Sequence, residues 1–375
     1  MAQSAGQADE RETPTPFPFT TVALLGGTGS LGWALAAYLL QQYSHIKIRI
    51  YSRGEHRQAE MHSYFADERR LSFLIGDVRD SERLQLALRH CDLVIHTAAL
   101  KRVDTAEYNP YEAVATNVIG TWNVLKAALD MGVRQVVTIS SDKAVKSQTL
   151  YGNTKAVAES LTIQCNHYAG EGTRYSVVRY GNVAASASSV IPLWQACAQR
   201  GDPLPLTHPS MSRFWLSMGD AVRIVCFVAS QQSRGGLFIP HLPTFSVLDL
   251  ARAVLNLPSG ASLRAGRDVV TIGLRGMEKI AEDLATEEEL ERAYWCAPSE
   301  QVPCMYLVPP AVQHWETPVV DTGWQSPPAP CLMGTVAGGP GPVVAYNSET
   351  WPWKLGVEDL RARLASIGGP GDANR

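Results

Sequence analysis

The sequence predicts an α/β chain: a doubly wound parallel sheet with helices on both faces, followed by a smaller C-terminal lobe. Three observations support that fold class. Short apolar runs alternate with longer segments of helical periodicity. The runs are apolar almost throughout, as strands covered on both faces must be. A glycine-rich turn joins the first run to the first helical segment, where a doubly wound sheet places its ligand crevice. At 375 residues the chain can form two domains, or one large domain with an appended lobe.

The elements follow in order. Residues 1–19, "MAQSAGQADERETPTPFPF", are polar and proline-bearing, lack the apolar centre of a signal peptide and are expected to be disordered. The runs "TVALLGG", "IKIRIYS", "LSFLIGD", "DLVIHTAA", "RQVVTISS" and "YSVVRYGN" read as six strands. "PYEAVATNVIGTWNVLKAALDMG" reads as a long helix before the fifth. Residues 20–185 form the nucleotide-binding domain with the catalytic residues, and 186–295 a substrate-binding lobe from which some chain returns to the sheet. In that lobe "GDAVRIVCFVASQQ" and "SVLDLARAVLNL" are amphipathic helices. Residues 296–346 are rich in proline and glycine, an irregular extension wrapped on the surface or partly disordered. Residues 347–375 hold a last helix, "GVEDLRARLASI", and a tail.

Composition excludes several classes. A formal net charge of -3 leaves no electrostatic footprint for nucleic acid. The seven cysteines are odd in number and contain no C-x-x-C pair, which suits reduced thiols and neither a disulfide framework nor a zinc site, so no metal is expected. No run approaches the roughly 20 apolar residues of a membrane span. The expectation is a soluble cytoplasmic protein.

"LLGGTGSLG" spaces Gly26, Gly29 and Gly32 as G-x-x-G-x-x-G, a cradle for pyrophosphate at a helix N-terminus that brings in Thr28, Ser30 and Leu31. After the second strand, where an NAD site usually carries a carboxylate, stand Ser52, Arg53 and Arg57. Arginine paired with a 2′-phosphate favours NADP over NAD, and a solvated basic helix start is the bland alternative. Asp77 either meets an adenine amino group or caps the next helix. Ala98 and Ala99 offer small side chains against which a cofactor can lie.

Tyr151 and Lys155 are four residues apart and share a helix face, where the ammonium would lower the phenol's pKa. With Ser140 or Ser141 ahead of them, they resemble the extended short-chain dehydrogenase/reductase superfamily, whose nucleotide-binding sheet is Rossmann-type. Asp142 and Lys143 exceed what hydride transfer needs. Bringing a lysine from about 10.4 to 7 requires roughly 4–5 kcal/mol, and an ionised neighbour opposes it. A neutral Asp-COOH/Lys-NH2 couple avoids the conflict and supplies one acid and one base, the equipment for eliminating water.

The stretches "GGTGSLG", "YSRGEHRQ", "GDVRD", "HTAALKRV", "SSDKAV", "LYGNTK", "VVRYGNV", "MSRFWLS" and "GGLFIP" resemble the inverting UDP-N-acetylglucosamine 4,6-dehydratases among the polysaccharide-biosynthesis proteins. The resemblance covers residues 20 to about 290 and, through "YNSETWPWKLGVEDLRARL", 345–365. It implies a redox-neutral reaction with tightly bound, recycled NADP. Tyr151, helped by Lys155 and Ser141, takes the O4 proton. Lys143 takes the C5 proton, Asp142 protonates the departing 6-hydroxyl, and a 6-deoxy-4-keto sugar with inverted C5 results. It also implies cofactor contacts at Val78 and Lys101, with Asn117 supporting the catalytic lysine through backbone or water. Substrate contacts fall to Lys101, Tyr180, Asn182, Val190, Thr207, Arg213, Arg275 and Glu278, and the assembly is a homo-oligomer. Two departures bear on the substrate. "AASASS" from Ala184 replaces the family's G-S-R-G-S, and "GLRGMEKIAE" replaces Pro-Gly by Gly276-Met277 and its histidine by Ala281. Alternative readings are a 5,6-dehydratase that forms an exo-glycal, an epimerase, and a non-catalytic NADP or nucleotide-sugar sensor.

Overall fold

The computed structural model describes residues 17–170, 172–184, 189–231, 235–274, 276, 278–296, 304–310, 324–325 and 346–367. The first half alternates strand and helix: β1 (Thr21–Leu25), α1 (Ser30–Gln42), β2 (Lys47–Ser52), α2 (Glu55–Tyr64), β3 (Leu71–Ile75), α3 (Ser81–Leu88) and β4 (Leu93–His96). Next come α4 (Val103–Tyr108), α5 (Pro110–Val114), a π-helical segment Ala115–Ile119, and α6 (Gly120–Asp130). β5 (Gln135–Ile139) leads through a 3₁₀ turn, Asp142–Ala144, to α7 (Leu150–Gln164), α8 (Asn166–Ala169) and β6 (Arg174–Val178). The second half contains α9 (Val190–Arg200), β7 (Leu204–Leu206), β8 (Ser212–Phe214), α10 (Met218–Ser230), β9 (Leu237–Pro240), β10 (Thr244–Ser246), α11 (Val247–Val254), β11 (Val269–Thr271), β12 (Asp283–Ala285) and α12 (Glu287–Glu291). It closes with β13 (Tyr294–Cys296), β14 (Met305–Val308), β15 (Trp324–Gln325), β16 (Tyr346–Asn347) and α13 (Val357–Ser366).

The main sheet runs β15-β13-β14-β9-β6-β5-β4-β1-β2-β3. From β3 to β9 every pairing is parallel, and β14, β13 and β15 add antiparallel at one edge. This is the doubly wound order, whose crevice opens beside β1 where the winding reverses. Two apolar layers sandwich the sheet. One includes Leu24, Leu35, Val137 and Ile224, and the other Ala23, Leu84, Val94 and Val124. Alternate residues of β1 therefore face opposite layers, which is why the strand must be apolar throughout. The lobe has its own core around Trp194, Trp215, Leu250 and Leu360.

Two segments differ from the sequence expectation. Phe17 and Phe19, at the end of the stretch expected to be disordered, are buried, with Phe17 stacked on Tyr43 at 5.1 Å between ring centroids. The remainder of that stretch lies outside the described residues. Within the proline- and glycine-rich stretch, Met305–Val308 is a fully buried strand paired with β9. Four consecutive apolar residues, "MYLV", satisfy the open edge of β9, and composition averaged over fifty residues hides so short a run. The long helix before β5 is present, interrupted by the π segment at Thr116 and Asn117.

A buried charge network joins the two halves. Arg179, just after β6, donates to Glu159 of α7 at 2.6 and 2.9 Å, to Glu289 of α12 at 2.8 and 2.9 Å, and to the Leu284 carbonyl at 3.0 Å.

Candidate active site

The carboxyl ends of β1, β2, β4, β5 and β6 open into one cavity of about 1160 Å³. Gly29 caps α1 without a side-chain hydrogen bond, so the helix presents orphan N–H groups to the cavity wall formed by Thr28, Gly29, Ser30 and Leu31. Gly26 has φ +78°, and a Cβ there would lie 2.7 Å from the Ala98 nitrogen. Gly32 is not on the wall; a Cβ there would sit 2.5 Å from Gly27, so this glycine serves the packing of helix against turn. This bare, positively polarised cradle fits a pyrophosphate.

Ser52, Arg53, Arg57, Asp77 and Val78 line one end of the cavity, and Ala98, Ala99 and Lys101 lie along it. Arg53 is mostly exposed and stands 3.6 Å from the Asp77 carboxylate. Burial works against ionisation of Asp77, but Arg79 at 2.7 Å and then Arg53 hold its carboxyl below the usual range. Of the two roles left open for Asp77, helix capping falls to Asp80, which accepts from the Arg83 N–H. The sequence reading passed over Arg79, although it stands in the quoted "GDVRD".

The catalytic segment is local in sequence and compact in space. β5 delivers Ser140 and Ser141. Ser141 caps the 3₁₀ turn by accepting from the Lys143 N–H at 3.3 Å, and Thr149 caps α7 by accepting from the Gly152 N–H at 3.1 Å. Ser141, Lys143, Tyr151 and Lys155 all line the cavity. Gly152 is required there: a Cβ would fall 2.0 Å from the Lys143 carbonyl oxygen and 2.2 Å from Ser147 Oγ. A Gly152→Ala protein is expected to lose about 1–3 kcal/mol, read from urea denaturation, because the Lys143 backbone must move.

Lys155 donates to the Ile139 carbonyl at 2.6 Å, and burial brings its pKa down to about 8. Tyr151 is buried, which raises its phenol, while the Lys143 charge pulls it down and Asp142 pushes it up. Lys143 is thus a cation that acts on the tyrosine beside the Lys155 named from the sequence. Asp142 is 1% exposed and stands behind the wall, where its Oδ1 accepts from Ser141 Oγ at 2.7 Å and from Lys143 Nζ at 3.2 Å. Burial pulls the Lys143 ammonium down, but Asp142 and Glu282 outweigh it and hold its pKa above the usual value. Asn117 clamps both backbone groups of Leu100, at 2.8 and 3.1 Å, and donates to Thr154 Oγ1 at 3.0 Å. It thereby fixes the loop after β4 to α7 beside Lys155.

Tyr180, Asn182, Val190, Thr207, Arg213 and Glu278 line the same cavity, and Arg275 lies outside the described residues. Arg213 is engaged differently from a free phosphate ligand. Its guanidinium donates to the carbonyls of Ser212, Ile280 and Lys279 at 2.7, 2.9 and 3.0 Å, tying the 279–282 segment over the site. Among the wall residues, Ser140 Oγ, Ser189 Oγ and Trp215 Nε1 are buried without a hydrogen-bond partner among the described residues. Trp194, Trp215 and Phe245 of the lobe complete the apolar wall. The sequence reading missed these aromatics, though "MSRFWLS" contains one of them. It also missed Glu282, whose contact with Lys143 spans 139 positions.

Residues 22–299 match the family described as polysaccharide biosynthesis protein. The chain belongs to that family. Within it, the chain is 40% identical over 275 residues to a UDP-N-acetylglucosamine 4,6-dehydratase (inverting) of Campylobacter jejuni subsp. jejuni, covering 73% of this chain and 79% of the relative. It is 38% identical over 277 residues to a UDP-glucose 4-epimerase of Rickettsia akari, covering 73% and 80%. Among solved structures, Pen from Bacillus thuringiensis superposes with a TM-score of 0.76 at 29% identity over 93% of this chain and 98% of that one. DesIV, a dTDP-glucose 4,6-dehydratase of Streptomyces venezuelae with NAD and DAU bound, superposes at 0.60 and 21% identity over 69% and 86%, a likeness of fold. Family membership and the parallel sheet agree with the extended short-chain dehydrogenase/reductase architecture. Among the described residues no helix is long and apolar enough to cross a membrane, and no group of three metal-ligating side chains converges.

Proposed function

We propose that the chain is an NADP-dependent nucleotide-sugar 4,6-dehydratase that acts on UDP-N-acetylglucosamine or a close analogue. The observation that carries this reading is the wall shared by Ser141, Lys143, Tyr151 and Lys155, with Asp142 directly behind it, in the cavity that also holds the glycine cradle. The 40% identity to a relative named as such a dehydratase supports the same reaction.

The cradle of Gly26, Thr28 and Gly29 would hold the pyrophosphate, and Arg53 and Arg57 a 2′-phosphate. When bound, the nicotinamide dinucleotide supplies reversible storage of a hydride between C4 and C6 of the sugar. Tyr151 removes the O4 proton, with Lys155 and Ser141 orienting the exchange. The ketone at C4 acidifies C5–H, and Lys143 removes that proton. Asp142 delivers a proton to the departing 6-hydroxyl by way of the Ser141 hydroxyl that lies between it and the cavity. Each acid–base role is worth roughly 10²–10⁴ in rate. The product is a UDP-2-acetamido-2,6-dideoxy-4-keto-hexose with inverted C5.

The test is incubation of purified protein with UDP-N-acetylglucosamine in D2O, followed by NMR of the sugar. A new 6-methyl signal with deuterium at C5 is expected. An alkene signal would assign a 5,6-dehydratase. A C4 epimer would assign the activity named for the Rickettsia relative, a reaction that has no use for the Asp142–Lys143 couple. Tight NADP binding without turnover of any UDP-hexosamine would assign a sensor.

The cofactor choice is tested separately. Replacing Arg53 and Arg57 together by alanine is expected to weaken NADP binding about tenfold or more and to leave NAD binding within about twofold, measured by fluorescence titration. Equal weakening of both dinucleotides would remove the arginines from 2′-phosphate recognition.

A further inference from the structure

Lys143 has a second carboxylate at a distance equal to that of its neighbour in sequence. Glu282 Oε1 accepts from Lys143 Nζ at 3.3 Å, against 3.2 Å for Asp142. Glu282 is 3% exposed, and its Oε2 is buried without a hydrogen-bond partner among the described residues. It does not touch the cavity and meets it only through Lys143. Its backbone is fixed from the C-terminal part of the chain: the Glu282 N–H donates to Ser348 Oγ at 2.9 Å, and the Ser348 N–H donates to the Glu282 carbonyl at 2.8 Å. A side chain so firmly placed, with one oxygen unsatisfied, is costly to keep ionised.

The charged groups around it are few. Lys143 and Asp142 face it from the 3₁₀ turn, and Arg213 Nε of β8 stands 3.9 Å from its Oε1. On its own segment, Lys279 turns away to the Val145 carbonyl at 2.8 Å and lies 3.8 Å from Asp283, which Lys146 also approaches at 3.9 Å. Tyr151 faces the cluster across Lys143, and the neutral side chains of Asn347 in β16 and of Ser348 just after it approach the segment. Burial first, and the Asp142 charge second, raise the Glu282 carboxyl above the usual range, against the pull of Lys143 and Arg213.

We propose that Glu282 is a positioning residue that sets the charge state of Lys143. With Glu282 ionised, two carboxylates hold one ammonium, and Lys143 has no lone pair to offer. With Glu282 protonated, Lys143 answers to Asp142 alone. A single proton then crosses from Lys143 Nζ to Asp142, breaking N–H and forming O–H, and leaves Asp142-COOH beside Lys143-NH2 with no change in net charge. That neutral couple is the acid and base the elimination needs. The inference rests on the dehydratase reading for its kinetic consequence, but not for its structural one.

Two measurements test it. The first needs no substrate. In protein labelled with ¹³C at glutamate carboxyls, the signal absent from Glu282→Gln is expected to titrate above the ordinary value near 4.3, and to move up by about one pH unit or more in Lys143→Ala, which removes the cation. If Glu282→Gln fails to fold, the signal that moves in Lys143→Ala identifies the group. A midpoint at or below the ordinary value, unmoved by Lys143→Ala, overturns the proposal whatever reaction the protein catalyses. The second measurement is deuterium uptake at C5 against pH in the parent, Glu282→Gln and Glu282→Asp. In this proposal the protonated form of Glu282 is the working one. Parent uptake should therefore fall about tenfold per pH unit above the midpoint. Glu282→Gln, locked neutral, should stay within about twofold over that window, and Glu282→Asp should restore the fall. A parent-like limb in Glu282→Gln, or uptake that rises with pH, overturns the proposal while leaving the dehydratase reading intact. Failure of the dehydratase reading appears instead as a parent that forms no 6-methyl product, with the carboxyl titration still deciding the role of Glu282.

Discussion

A Lys143→Ala protein is expected to oxidise the sugar at C4 and stop there. Tyr151 and Lys155 are untouched by the substitution, so proton removal from O4 persists and the 4-keto sugar accumulates on the protein. Formation of the 6-methyl product is expected to fall by about 10²–10⁴, the usual worth of a positioned base. The measurement is paired: absorbance of reduced nicotinamide reports the first half, and NMR in D2O reports the second. Loss of both halves together would show that Lys143 acts mainly through Tyr151, whose phenol its charge already pulls down. Deuterium entering C5 at the parent rate would remove Lys143 as the base.

The largest stability effect is expected at Arg179, away from the chemistry. It is 3% exposed and satisfies two carboxylates, Glu159 at 5% exposure and Glu289 of the α12 capping box. Burying ions is costly, and the arrangement is tolerable only while both carboxylates have their partner. Arg179→Ala strips the partner from the buried Glu159 and the half-buried Glu289 at once and is expected to cost about 3–5 kcal/mol, measured by urea denaturation. The loss should shrink as pH falls. Arg179 holds the Glu289 carboxyl below its usual range, so the stability it supplies is present above the unfolded value and fades as pH drops through the folded one. A loss under about 1 kcal/mol would mean that water reaches the carboxylates once the guanidinium is gone.

The fold was legible because its signals are local. The central strands β1, β4, β5 and β6 are buried almost throughout and so must be apolar, and Gly26 must be glycine at φ +78° against Ala98, so each leaves its mark on a few consecutive residues. The stretch from Ser141 to Lys155 was legible for the same reason: one turn and one helix start carry the whole set. What could not be read depends on long-range contact. Glu282 reaches Lys143 across 139 positions, and "EKIAE" has no feature that distinguishes a buried partner from a surface glutamate. Arg213 reads as a substrate contact from the resemblance alone. That its fork also meets three carbonyls is a property of how β8 and the 279–282 segment pass. Strand β14 was missed because proline and glycine on either side of "MYLV" dominate the composition.

The strand Tyr346–Asn347 and the serine that follows it have a consequence for the order of events during synthesis. The six strands that seat the cradle and the tyrosine are complete once residue 178 has been made, whereas α10, which covers one face of the sheet, follows at Met218–Ser230. Ser348, which pins the Glu282 backbone, lies 66 positions further along the chain. The glycine cradle is thus made well before the contact that places Glu282.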